Sequence, residues 1–102
     1  MTSDLFEQIA NALPNVECNP HFERTSFKLK NKRIFATIDR KTSCANLKLS
    51  EVDQSIFCQI NQSVIYPVNN KWGKQGWTTF ELAQVDDETM REAVSKAYDE
   101  AK

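Results

Sequence analysis

Glycine is nearly absent from this chain: Gly73 and Gly76 are the only two in 102 residues. Their spacing matches neither a P-loop nor a dinucleotide fingerprint, so no glycine-rich phosphate cradle is expected. Histidine is scarcer still. The single His21 leaves little room for imidazole acid–base chemistry or a histidine-rich metal site. Cys18 stands three residues before it, but no second ligand pair follows, so no metal or other cofactor is expected. The three cysteines, Cys18, Cys44 and Cys58, are odd in number and widely spaced, which suits free thiols in a reducing compartment. No apolar run approaches the roughly 18 residues a membrane helix needs. The opening "MTSDLFEQIA" also lacks the basic start and apolar core of a signal peptide. A cytoplasmic location without a membrane partner is therefore expected.

What is present fits one soluble domain over residues 1–102, with 40% hydrophobic and 26% charged residues. The net charge of −1 conceals an uneven distribution. Residues 1–23 carry four acids and no Lys or Arg, whereas residues 24–48 carry eight bases against Asp39 alone. The remainder, residues 49–102, has nine acids and five bases. Either neighbouring elements neutralise the basic segment in the fold, or it meets an anionic partner.

Hydrophobic periodicity divides the chain into elements. Asp4 and Glu7 form a start like a capping box, and Leu5, Phe6, Ile9, Ala12 and Leu13 recur at helical spacing until Pro14. After the polar connection "NVECNPHFER" the period drops to two. "TSFKLK" places Phe27 and Leu29 on one face, with Lys28 and Lys30 on the other. A turn at Asn31–Lys32 leads to "RIFATID", with Ile34, Ala36 and Ile38 inward and Phe35 and Thr37 outward. "CANLKLS" repeats the alternation through Ala45, Leu47 and Leu49. Ser50 then caps a second helix whose stripe is Val52, Ile56, Phe57 and Ile60. "SVIYPV" is a short strand that Pro67 confines to an edge, and "WTTFEL" is another. Asp86 caps the last helix, with Met90, Ala93, Val94, Ala97, Tyr98 and Ala101 as its stripe.

The order α-β-β-β-α-β-β-α describes an α+β two-layer sandwich, an antiparallel sheet with helices on one face. The opposite sheet face is left open, and function is expected there.

The residues that punctuate this pattern also carry a resemblance. "LPNVE", "HFERTSFKLKNKRIFATID", "LKLSEVDQSIF", "YPVNNKWGKQGWTTFEL" and "AVSKAY" together resemble the MmcQ/YjbR family of small bacterial proteins, nearly end to end. The resemblance implies a fold like that of secretion chaperones, described as a double wing, and a DNA-binding label that rests on fold analogy. It supplies no catalytic residues.

Both tryptophans and both glycines fall within Trp72–Trp77. If "WTTFEL" alternates, Thr78, Phe80 and Leu82 face the helices and Trp77 lies on the open face. There it joins Phe35, Lys28, Lys30 and Lys48. Rings for stacking and ammonium groups for phosphate are how single-stranded nucleic acid is held. Lys32 and Arg33 extend this set along the hairpin, and Lys71 and Lys74 assist from the loop. Trp72 reads as a loop anchor, and the glycines as turn residues. The expectation is a non-catalytic protein that binds DNA through the open face. The alternative is a protein-interaction or chaperone-like module, self-dimerising or not, on the same face.

Overall fold

A computed structural model describes residues 1–102. Four helices and six strands follow the chain: α1 (Ser3–Asn11), β1 (Val16–His21), β2 (Arg24–Leu29), β3 (Ile34–Asp39), β4 (Cys44–Lys48), α2 (Glu51–Cys58), β5 (Ile65–Pro67), α3 (Lys71–Lys74), β6 (Trp77–Glu81) and α4 (Asp87–Ala101). The strands form one antiparallel sheet in the order β1-β2-β3-β4-β6-β5. The α+β sandwich expected from periodicity is the observed architecture.

One apolar cluster lies between the sheet and the helices, with Phe6, Phe27, Phe35, Leu47, Phe80 and Met90 among its fully buried members. Phe6 meets Phe27 edge-to-face at 5.8 Å, and Phe57 of α2 meets Phe80 at 6.0 Å. Such pairs add about 0.5–1.5 kcal/mol to the burial of the rings themselves. The alternation read in "CANLKLS" and "WTTFEL" is present: Ala45, Leu47, Leu49, Thr78, Phe80 and Leu82 are all buried.

Two elements depart from the expected order. The "polar connection" contains β1, whose residues are almost all exposed, so apolar alternation gave no signal. It is an edge strand held by pairing with β2 through a hairpin tipped by Phe22, and its Pro20 is tolerated because one side has no neighbour. The loop before β6 contains the one-turn helix α3, capped by Asn70, whose Oδ1 accepts from Trp72 N–H at 2.8 Å. The cap of α1 also moves. Thr2 accepts from Leu5 N–H, while Asp4 and Glu7 both pair with Arg40 after β3.

The largest correction is in β3. Phe27 pairs with Ala36 but Lys28 pairs with Ile34, so Phe35 is the extra residue of a β-bulge. A bulge breaks the two-residue alternation. Phe35 and Ala36 both enter the core, where Phe35 packs edge-to-face on Tyr98 at 5.8 Å. Phe35 is therefore not an open-face ring, and Ile34 takes the outward position instead. In α2, only Phe57 of the expected stripe is buried. Val52 and Ile56 are 69% and 54% exposed, and Ile60, which falls past the end of the helix, is 58% exposed.

Candidate functional site

The open face of the sheet is built from strand residues that alternate with the core. Cross-strand register aligns Ser26, Thr37, Asn46, Thr79 and Tyr66 in one polar row. The next row toward the β6 entrance holds Lys28 opposite Ile34, and Lys48 opposite Trp77. Val68 continues this row, donating its N–H to Trp77 O at 2.9 Å.

A cleft of about 300 Å³ opens on this face between Ile34, Thr37, Asn46, Val68, Trp72 and Trp77. Four of its six walls are apolar. Its volume is at the small end for ligand sites, enough for one flat ring or one side chain. Trp77 lies where alternation placed it. Trp72, read as an anchor, is 49% exposed and forms a wall of the cleft. Its position comes from α3: the Asn70 cap starts the turn, and Gln54 Nε2 of α2 donates to Gly73 O at 2.9 Å and Trp77 O at 3.3 Å. Periodicity could not assign Trp72, because one turn of helix is too short to show a period.

The basic residues separate. Arg24 and Arg40 are neutralised by Asp39 and by Asp4 and Glu7. Lys28 and Lys48 stay on the open face, and Lys48 Nζ also donates to Leu49 O at 3.5 Å. Lys30 falls past the end of β2, not beside Lys28. With Lys32 it lines a different cleft, between Asn15 and the Tyr98–Lys102 end of α4. Asn31 makes this turn possible by adopting φ 62°. Arg33 is exposed next to Ile34, Lys71 sits 5.8 Å over the Trp72 ring, and Lys74 ends α3. Of the nine residues expected at the site, Lys28, Lys48 and Trp77 share the face, Arg33, Lys71 and Lys74 lie on the adjoining segments and do not line the cleft, Lys30 and Lys32 turn away, and Phe35 is core.

At the β5 end of the polar row, Tyr66 donates to Glu81 Oε2 at 2.6 Å, and Gln84 Nε2 donates to Glu81 Oε1 at 3.0 Å. Donation to Glu81, followed by partial burial and the Glu81 charge, pushes the Tyr66 phenol up to about 12. A folded pKa above the unfolded value of about 10 is stabilising while the phenol is protonated. That contribution is whole below pH 10 and is lost as pH rises through about 12. Absorbance at 295 nm is expected to show one tyrosine ionising late, and Tyr66→Phe should remove that late phase. A single step near pH 10 would contradict the Tyr66–Glu81 bond.

Cys18 and His21 lie on opposite faces of β1, opposite core-facing Phe27 and outward Arg24, so they do not converge. No group of three or more His, Cys, Asp or Glu side chains is placed to hold a metal ion. No helix is long and apolar enough to cross a membrane.

The fold is similar to the crystal structure of Deinococcus radiodurans protein DR2400, a DUF419 family-model domain. The TM-score is 0.80 at 24% identity, over 95% of this chain and 75% of that one. No curated protein matches the chain. The model of the YjbR family matches residues 11–100, from the end of α1 through nearly all of α4 and across every strand of the open face, and this chain belongs to the YjbR family.

Proposed function

We propose that the protein is a binding module, not a catalyst, and that its open face holds single-stranded nucleic acid. The observation that supports this reading is the cleft between Trp72 and Trp77, with Lys28 and Lys48 on the same face. An exposed indole wall stacks with any base, at about 1–3 kcal/mol per base, and nearby ammonium groups meet the phosphates. Neither lysine makes an ion pair within the protein, so neither needs to break one to bind phosphate. Arg33, Lys71 and Lys74, on the segments adjoining the cleft walls, add positive charge nearby. Lys30 and Lys32 contribute attraction at longer range. Duplex DNA fits less well, because a buried base pair does not offer its face to an indole.

Tryptophan fluorescence tests the reading, since both tryptophans line the cleft. Titration with mixed-sequence single-stranded DNA is expected to quench emission to saturation, and duplex DNA to quench it less. Each phosphate contact on a single strand contributes about −0.7 to the log–log salt slope. Replacing Lys28 and Lys48 together by alanine should therefore flatten the slope by about 1.4, whereas replacing Lys30 and Lys32 should change it by much less. Flat emission at low salt, with the protein folded, would refute the reading.

A protein partner or self-association is the second reading. The apolar cleft wall suits it, and the exposed Val52 and Ile56 of α2, with Ile60 just past its end, favour it. Light scattering that rises with concentration and falls in Ile56→Asp, together with flat nucleic-acid titrations, would support it instead.

A further inference from the structure

Strand β1 forms one edge of the sheet, and all but its first residue are exposed. Antiparallel ladders alternate hydrogen-bonded and non-hydrogen-bonded pairs. Lys30 N–H donates to Asn15 O at 2.8 Å, which sets the phase, and the register runs from Val16↔Leu29 to His21↔Arg24. Glu17, Asn19 and His21 therefore turn their N–H and C=O groups toward β2. Val16, Cys18 and Pro20 turn theirs outward, and Pro20 has no N–H to offer. The free donors of this edge are thus Val16 N–H and Cys18 N–H. The opposite edge, β5, is only Ile65–Pro67, so it offers far less to pair with.

We infer that β1 pairs with β1 of a second copy, antiparallel, about a twofold axis at Cys18. In this register Cys18 exchanges N–H···O bonds with its counterpart, and each Val16 N–H donates to the other copy's Pro20 O. Every free donor is used, leaving only Val16 O to solvent, and Pro20 falls where nothing but an acceptor is needed. Centres at Val16, Asn19 or Pro20 leave donors of Val16 or Cys18 idle. A centre at Glu17 uses them all but sets the two Glu17 carboxylates directly opposite one another, which is destabilising. At the Cys18 centre, Glu17 faces the neutral Asn19 instead. One register thus satisfies both the backbone and the side chains. Such an isologous contact closes on itself. Its axis is perpendicular to the sheet, so both open faces lie on one side. The inference does not depend on what the open face binds.

Sedimentation velocity on the protein alone tests it. One short strand from each copy is a small contact, so the dimer is expected to accumulate only between roughly 10 μM and 1 mM. Amide exchange followed by NMR reads the register. Glu17 and Asn19 N–H, bonded within the chain, should exchange slowly at every concentration. Val16 and Cys18 N–H should become protected only as the dimer forms. Cys18→Lys, at an exposed position, places like charges face to face at the axis and should weaken association about fivefold. Mixing Cys18→Lys with Cys18→Glu should restore it, and Ile56→Asp on α2 should change nothing. A monomer throughout this range, or Val16 and Cys18 amides that stay unprotected in the dimer, would overturn the inference. So would a dimer that Cys18→Lys leaves intact and Ile56→Asp dissolves.

Discussion

Phe35→Ala is expected to cost about 3–5 kcal/mol of folding stability, the usual range for emptying a buried phenylalanine site. Against a typical total of roughly 5–15 kcal/mol, that is a large part of what holds the protein together. The cause lies in the β3 bulge. Phe35 is fully buried and its ring meets Tyr98 of α4 edge-to-face, so truncation leaves a void between sheet and helix. Urea unfolding followed by circular dichroism measures the loss. The folded fraction of Phe35→Ala should still quench normally with single-stranded DNA. Trp77→Ala should behave in the opposite way, losing binding while retaining most of its stability, because Trp77 is only half-buried. A Phe35→Ala protein with an unchanged urea midpoint would mean that the bulge is absent and that alternation places Phe35 outward after all.

Gly76→Ala is expected to destabilise by about 3–5 kcal/mol, a sum of backbone strain and overpacking. Gly76 has φ +106°, a conformation that residues with a Cβ rarely adopt. A Cβ there would also lie 1.9 Å from Leu49 O. The backbone cannot retreat easily, because Leu49 N–H donates to Gly76 O at 3.0 Å and joins the end of β4 to the start of β6. Gly73→Ala meets the same kind of obstacle without the strained φ, its Cβ falling 2.0 Å from Val68 O. It should be the milder of the two in urea, yet it should displace Trp72 from the cleft and shift the emission maximum of the native state. Two alanine variants as stable as the parent would show that this turn is not as closely packed as described. Both glycines thus serve close backbone approach, and the tryptophans beside them form the cleft that those turns shape.

The family and the sandwich were legible in the sequence because their signals are local. Ser50 and Asp86 are caps followed at once by helix, and both accept from the backbone N–H three residues on. The last helix buries every residue of its predicted stripe. β4 and β6 alternate without interruption, which placed Trp77 and Lys48 on the open face from spacing alone. Such features need only the residue and its near neighbours.

Tertiary structure decided the rest, for three physical reasons. A bulge depends on register with the partner strand, so nothing in "RIFATID" by itself reveals that Phe35 and Ala36 both turn inward. An edge strand is held by main-chain hydrogen bonds, to which side-chain pattern is indifferent, so β1 left no apolar trace. Burial of a helix stripe requires an element to cover it. α2 finds cover for Phe57, leaving Val52 and Ile56 in water. The candidate site depends on the same non-local facts. Its tryptophans adjoin in sequence, but Ile34, Asn46 and Trp72 meet only because β3, β4 and α3 converge on one face. Charge patterning marked a continuous basic segment, and the turn after β2 split it, sending Lys30 and Lys32 toward α4 while Lys28 stayed beside the cleft.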